Sequence, residues 1–108
     1  MGASSDSARE YEVILTDEAL YGYSDVRPDS VYERISELIK SLARFPYYGQ
    51  EYDPYYVAAK PDIPCRVFFC GNYGIYYLVD ESTKRVTVLS IEDERRNPAY
   101  RFSWYNHS

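Results

Sequence analysis

The sequence predicts an α+β fold, in which an antiparallel sheet carries one main helix packed on one face. Three strand-like segments follow one another between Cys65 and Ile91, and their aromatic and β-branched residues favour a three-stranded meander. One long segment with apolar residues at helical spacing precedes the meander. A short strand-like segment lies near the N-terminus. We expect this N-terminal strand to join the sheet that the C-terminal three-stranded meander forms.

Length and composition indicate a single small domain. The chain has 108 residues, which is enough for one modest hydrophobic core. Residues 1–9 are small and polar and predict a disordered leader. A single domain is expected over residues 10–102, followed by a C-terminal tail at residues 103–108.

The first strand is predicted at residues 11–16, where apolar and polar side chains alternate. The side chains expected to share one face of this strand are Tyr11, Val13 and Leu15. The next stretch, residues 17–26, could begin a helix, but Gly22 and the polar residues after it interrupt the pattern. We therefore predict one helical turn at most in this stretch.

The main helix is predicted to begin at residues 28–30. Ser30 and Glu33 have the spacing of a capping box, in which each side chain bonds a backbone N–H at the helix start. An apolar stripe at helical spacing follows, formed by Val31, Ile35, Leu38, Ile39 and Leu42. Pro46 disfavours helical geometry in the residue before it, so the helix is expected to end near Arg44.

Residues 47–64 contain three prolines and five tyrosines, which predict an ordered loop with a short edge strand around residues 55–59. The meander then turns at Gly71-Asn72, two residues that tolerate positive φ. In its second strand, Tyr73, Ile75, Tyr77 and Val79 are expected on one face, and Gly74, Tyr76 and Leu78 on the other. Gly74 indicates a bulge or a close approach to the backbone.

Charge and cysteine content narrow the classes of function. The net charge is −5, the wrong sign for a nucleic-acid binder, but the acidity is concentrated before residue 65, with 12 acidic and 6 basic side chains, against 5 and 6 after it. If the chain binds an anionic ligand, we therefore expect the ligand in the C-terminal half. If Cys65 and Cys70 lie in one strand, they are about 16 Å apart and face opposite sides of the sheet, which predicts free thiols in a reducing cytoplasm. Two Cys and one His predict no metal site, and no cofactor is expected. No apolar run is long enough to cross a membrane.

The segment after Ile91 combines arginines with aromatic residues. Arg95, Arg96 and Arg101 alternate with Tyr100, Trp104 and Tyr105. This composition suits contact with phosphates and bases. It equally suits docking onto a partner protein, or a tail whose aromatic rings pack back onto the sheet. The residues alone leave these three interpretations open.

The order of these parts resembles the RelE/ParE superfamily, the toxin partners in bacterial type II toxin–antitoxin systems. The resemblance covers about residues 11–102. It includes a helical region that ends in Phe45, Pro46 and Gly49. The positions that carry it further along are Gly71, Tyr73, Tyr76, Val79, Asp80, Glu81, Val86, Val88, Leu89, Arg95, Arg96 and Tyr100.

The resemblance implies a compact α/β toxin that a cognate antitoxin holds inactive. RelE-like members cut mRNA on the ribosome without a metal ion, and ParE-like members inhibit DNA gyrase. A RelE-like ribonuclease is the first hypothesis for this chain; a ParE-like toxin without nuclease activity, or a domain that only binds a partner, is the alternative. In all cases no membrane partner is expected.

The resemblance also implies a set of site residues. The candidate catalytic residues are Arg66, Arg95, Arg96 and Tyr100, and the candidate binding residues are Arg85, Tyr73 and Arg101. Arginine would stabilise charge on the phosphoryl oxygens as the 2′-hydroxyl attacks. The chain departs from the RelE-like pattern at Gly74, where relatives carry an arginine after the tyrosine of the turn. A second arginine of RelE-like toxins aligns with Glu94 or with Arg95, depending on where the gap is placed.

Overall fold

The computed structural model describes residues 10–52 and 65–95, which form one five-stranded sheet and two helices. In chain order the elements are β1 (Glu12–Leu15), α1 (Asp17–Ser24), α2 (Asp29–Ser41), β2 (Gln50–Glu51), β3 (Arg66–Cys70), β4 (Tyr73–Asp80) and β5 (Arg85–Asp93). The strand order is β1-β5-β4-β3-β2. The predicted α+β fold, with the N-terminal strand joined to a C-terminal meander, is confirmed.

The sheet is not antiparallel throughout, because β1 runs parallel to β5. Val13 lies opposite Val86, and Leu15 lies opposite Val88. All other strand pairs in the described residues are antiparallel. The prediction that Tyr11, Val13 and Leu15 share one face is confirmed, since all three pack against the main core. Alternation carries no information on the direction of the neighbouring strand.

Helix α1 is a full eight-residue helix, so the prediction of one turn at most was wrong. Its first turn is capped by Thr16, whose Oγ1 accepts from the N–H of Ala19 at 3.1 Å and donates to the carbonyl of Leu89 at 2.8 Å. Gly22, which looked like an interruption, lies directly against the carbonyl of Ile91. The absence of a side chain at Gly22 allows α1 to pack closely on β5.

Helix α2 begins two residues earlier than a capping box at Ser30 requires, so the capping-box prediction was wrong. Pro28 is the N-cap, its backbone is extended, and no side chain caps the first turn. The fixed φ of proline suits it to this helix start. Ser30 therefore lies inside the helix. The α-helix ends at Ser41, and a turn continues the chain to Arg44, so the predicted end was three residues late.

The core lies mainly between the helices and one face of the sheet. The predicted stripe of α2 is buried there, with Ile35 and Leu42 fully enclosed. The largest side chains that the sheet contributes to this core are Phe68, Tyr73, Ile75, Tyr77 and Ile91. A smaller cluster covers the opposite face and is formed by Cys65, Val67 and Tyr76, with Tyr52 and Leu89 packed against it. Cys65 and Cys70 therefore lie on opposite faces of the sheet, as predicted.

The described edge strand β2 has only two residues, and its pairing continues where the N–H of Tyr52 donates to the carbonyl of Cys65 at 2.9 Å. The edge strand predicted at residues 55–59 lies outside the described residues, as do the predicted leader and tail. The turn predicted at Gly71-Asn72 is confirmed, with φ of 61° at Gly71.

No helix among the described residues is long and apolar enough to cross a membrane.

Replacing Gly22 by alanine is expected to destabilise the fold, although alanine favours a helix by roughly 0.5–1 kcal/mol. The added Cβ would clash with the backbone carbonyl of Ile91, which cannot rotate away. We expect a net loss of about 1–3 kcal/mol in the free energy of unfolding, measured by urea denaturation. The exposed neighbour Tyr21 provides the control, since Tyr21→Ala should change stability by no more than about 0.5 kcal/mol. A stabilised Gly22→Ala variant would contradict the close packing.

Candidate functional site

Gly74 stands where RelE-like toxins carry an arginine. It lies in β4, beneath a hydrogen bond between two other side chains. The hydroxyl of Tyr76 donates to Oε2 of Glu94 at 2.9 Å. A Cβ built on Gly74 would lie 2.7 Å from that carboxylate oxygen and 3.1 Å from the tyrosine hydroxyl. The space that an arginine side chain would need at this position is therefore occupied by a carboxylate and a phenol.

The surroundings of Gly74 are acidic on the same face of the sheet. Glu92 lies directly opposite Gly74 in the β4–β5 ladder, and only 6% of its surface is exposed. The N–H of Glu94 donates to the carbonyl of Asn72 at 2.7 Å, which extends the strand pairing past the end of β5. The backbone thus holds Glu94 over Gly74. Glu94 is one of the two positions that align with the second arginine of RelE-like toxins.

Arg95 is the other position that aligns with that arginine, and its side chain is held by Asp93. Its Nε and Nη2 donate to the two carboxylate oxygens of Asp93 at 2.9 and 2.7 Å. The side chain remains 64% exposed. This two-point contact raises the pKa of Arg95 and keeps it charged. The other candidates of the C-terminal segment, Arg96, Tyr100 and Arg101, lie outside the described residues.

Arg66 lies on the helix-covered face, away from Gly74. It is paired with Tyr77 in the β3–β4 ladder, and Tyr77 points into the main core. Its Nε and Nη2 donate to the carbonyl of Gly49 at 3.2 and 2.5 Å. Its guanidinium also lies over the ring of Tyr47, 5.1 Å from the centroid. Arg66 therefore supports the loop between α2 and β2.

Arg85, a candidate binding residue, lies far from Arg95 in the structure. Arg85 begins β5, where its Nε donates to Glu12 of β1 at 3.1 Å. Arg95 follows the other end of the same strand, roughly 30 Å away at about 3.3 Å per residue. Because the strand is extended, it keeps a residue at its start far from a residue that follows its end.

Tyr73 is a core residue in this structure. Only 6% of its surface is exposed, and its hydroxyl accepts from the N–H of Arg27 at 3.2 Å. This hydrogen bond ties the link between α1 and α2, where the Arg27–Pro28 peptide is cis, to the start of β4. Among the described candidates, the structure does not bring Arg66, Arg85 and Arg95 together into one site.

A cluster that the sequence interpretation missed lies at the turn between β4 and β5. Glu81 accepts hydrogen bonds from the hydroxyls of Tyr11 and Tyr47, and Lys84 forms an ion pair with it at 3.3 Å. The Tyr11 and Tyr47 hydrogen bonds lower the pKa of the Glu81 carboxyl. The same contact raises the pKa of Tyr47 to about 12. The cluster joins the N-terminal strand, the loop after α2 and the β4–β5 turn.

The loop after α2 also presents aromatic side chains to solvent. Phe45, Tyr47 and Tyr48 are 63%, 50% and 57% exposed, while Pro46 between them is buried. Together with Arg44 they line a shallow groove of about 430 Å³. The run of aromatic residues after α2 is visible in the sequence and could have been noticed. A short polar turn would be enough to connect α2 to β2, so aromatic residues at this position suggest a further role.

A group of metal ligands or a reactive thiol would be a further kind of chemical site in the described residues. No group of three or more His, Cys, Asp or Glu side chains in residues 10–52 and 65–95 is placed to hold a metal ion. Burial raises the pKa of the Cys65 thiol to about 11, so it stays protonated and weakly nucleophilic at neutral pH.

Comparisons with known proteins identify one family and several structures of similar fold. Residues 13–98 match the family model described as the ParE toxin of the type II toxin–antitoxin system parDE. No curated protein matches the chain in sequence.

Solved structures share the fold at low sequence identity. The archaeal RelE–RelB complex of Pyrococcus horikoshii matches with a TM-score of 0.64 and 17% identity, over 82% of this chain and 99% of that one. The RelBE2 complex of Mycobacterium tuberculosis matches with a TM-score of 0.61 and 19% identity, over 78% and 98%. The ParDE system of P. aeruginosa matches with a TM-score of 0.55 and 13% identity, over 79% and 97%.

Replacing Gly74 by alanine is expected to break the Tyr76–Glu94 hydrogen bond while the fold survives, because the end of the Glu94 side chain can move aside. We expect the stability effect of Gly74→Ala to couple to Tyr76→Phe by about 0.5–1.5 kcal/mol in a double-mutant cycle. Gly74→Ala combined with Leu78→Ala, on the same face further along β4, is the control. Additive effects in the Gly74–Tyr76 pair would contradict the proposed geometry.

The Glu81 contacts are expected to stabilise the fold only between two pH limits. The pKa of Glu81 is lowered in the folded chain, so its contribution is present above the ordinary value of 4.5 and is lost as the pH falls through the folded value. The pKa of Tyr47 is raised, so its contribution is present below 10.0 and is lost as the pH rises towards about 12.

The measurement is the free energy of unfolding of the wild type and of Glu81→Gln across this pH range. The difference between the two proteins should be largest near neutral pH and should shrink at both extremes. Glu37→Gln, an exposed substitution on α2, serves as the control. A difference that does not depend on pH would show that the charge of Glu81 is irrelevant.

Proposed function

The chain belongs to the ParE toxin family of type II toxin–antitoxin systems, and from this membership we propose that it acts by binding a protein target. The proposed target is DNA gyrase, which the ParE-like branch of the superfamily inhibits. Cleavage of mRNA on the ribosome, the activity of the RelE-like branch, is the second candidate. Both targets would place the toxin in the cytoplasm.

The observation that carries this proposal is the pair of side chains over Gly74. A ribonuclease of the RelE-like type needs a cation where charge grows on the phosphoryl oxygens. Here the position after the tyrosine of the turn has no side chain, and Glu94 and Tyr76 occupy the space above it. A carboxylate at this position would repel a phosphate rather than stabilise it.

The arrangement of the described arginines supports the same proposal. Arg66 lies on the opposite face of the sheet, Arg85 lies at the far end of β5, and Arg95 is engaged by Asp93. Positioned cations act on a phosphoryl group only when they converge on it. Net charge is a further argument, since the value of −5 opposes the binding of a ribosome rich in phosphate.

We expect a cognate antitoxin to be the second partner of the chain. Three of the similar structures are toxin–antitoxin complexes of the RelBE type, including the intact RelBE complex of E. coli. An antitoxin would bind the folded toxin and prevent its contact with the target. The family membership supports this expectation independently of which target the toxin attacks.

The ribonuclease candidate depends on Arg95 together with Arg96 and Tyr100. Arg95 is exposed enough to exchange Asp93 for a phosphate, which favours this candidate. A tyrosine has an ordinary pKa of about 10 and needs nearby cations to act as a base at neutral pH. Arg96 is the expected source of that charge.

Two assays on the purified chain distinguish the candidates. We expect the protein to inhibit supercoiling of relaxed plasmid by gyrase, and to leave mRNA intact in programmed ribosomes, as read by primer extension. New 3′ ends at the decoding site that disappear in an Arg96→Ala/Tyr100→Ala variant would instead establish the ribonuclease. Activity in neither assay, with an antitoxin complex still formed, would indicate a domain that only binds its partner.

A further inference from the structure

The loop between α2 and β2 forms an exposed surface to which no role has been assigned. We define this aromatic surface as Phe45, Tyr47, Tyr48 and the neighbouring guanidinium of Arg66. The three rings are at least half exposed, and together with Arg44 they line an open groove. Contiguous exposed aromatic side chains on a small domain often mark a protein contact.

The aromatic surface is held in place by contacts on several sides. The N–H of Gly49 donates to the hydroxyl of the buried Tyr77 at 2.8 Å, and the carbonyl of Gly49 accepts from Arg66. The ring of Tyr48 packs edge-on against Phe68 at 5.5 Å. The hydroxyl of Tyr47 donates to Glu81. Because these contacts already order the loop, a partner would lose little affinity to ordering it.

Arg66 adds a specific polar contact to this apolar surface. A guanidinium has five N–H donors, and the contact with Gly49 engages Nε and Nη2 only. No carboxylate among the described residues forms an ion pair with Arg66. A half-buried guanidinium of this kind, next to aromatic rings, is suited to bind one carboxylate from a partner.

We propose that the aromatic surface binds a segment of the cognate antitoxin that carries apolar side chains and an Asp or Glu. The apolar side chains pack on Phe45, Tyr47 and Tyr48, and the carboxylate binds Arg66. Charge complementarity with Arg66 and the apolar character of the groove define this occupant. The inference rests on the proposed pairing with an antitoxin and does not depend on the toxin's target.

Nucleic acid is a poorer occupant of the same surface. Glu81 lies against Tyr47, Glu51 is the cross-strand neighbour of Arg66, and Glu10 forms an ion pair with Arg44. A nucleic-acid strand carries a charge on every nucleotide and would meet these carboxylates repeatedly. A mostly apolar peptide segment presents a single carboxylate, bound to Arg66, and meets less of this repulsion.

The test uses the full chain and the protein encoded by the gene next to its own, purified separately. Phe45→Ser and Arg66→Gln are each expected to weaken the complex about tenfold or more, measured by titration calorimetry. The Arg66→Gln complex should also depend less on salt, because one ion pair is lost. Phe45 is 63% exposed, so we expect Phe45→Ser to leave the fold intact and to report on binding even if Arg66→Gln disturbs the loop.

Matched controls lie elsewhere on the molecule. Leu20→Ser removes a half-exposed apolar side chain from α1, and Arg34→Gln removes an exposed guanidinium from α2. Both variants should bind within about twofold of the wild type.

Unchanged affinity in both Phe45→Ser and Arg66→Gln would overturn the inference while the antitoxin pairing stands. A wild-type chain that binds no product of the adjacent gene would overturn the pairing itself, and with it the inference. Binding of a single-stranded RNA oligonucleotide that Phe45→Ser abolishes would reassign the surface to nucleic acid.

Discussion

Two adjacent tyrosines in the central strand β4 orient both regions to which we assign a function. Tyr76 and Tyr77 are fully buried on opposite faces of the sheet, as neighbours in a strand must be. The hydroxyl of Tyr77 fixes Gly49 and thereby the aromatic surface. The hydroxyl of Tyr76 fixes Glu94 over Gly74. A phenol supplies the apolar body that burial requires and the polar end that reaches each loop.

Periodicity in the sequence was sufficient to predict β4 and α2, because each buries a regular pattern of side chains. It was insufficient where the structure depends on one close contact between distant residues. Gly22 interrupts a helical pattern in the sequence, yet it is the residue that lets α1 approach Ile91. The opening of α2 at residues 28–30 was predicted, but its cap was not, because Ser30 and Glu33 have the spacing of a capping box that the backbone does not use.

Only part of the candidate site could be predicted, because the site also depends on a contact between residues that are distant in sequence. The missing cation at Gly74 can be seen in the sequence, but the carboxylate above it cannot, since Glu94 arrives from the end of another strand. Arg66 was a candidate because it is basic and lies in the first meander strand. A shift of one residue in that strand moves a side chain to the other face, so only the register with Tyr77 reveals its position.

The parallel pairing of the first strand with the last has a consequence for synthesis of the protein. β1 and α1 both pack on β5, which is the last described strand to leave the ribosome. Until β5 emerges, the edge of β1 and the apolar face of α1 lack their main partner. These contacts span most of the chain and are slow to form. The sheet is therefore completed only after β5 has been translated, and a chain that stalls before β5 cannot form the finished fold.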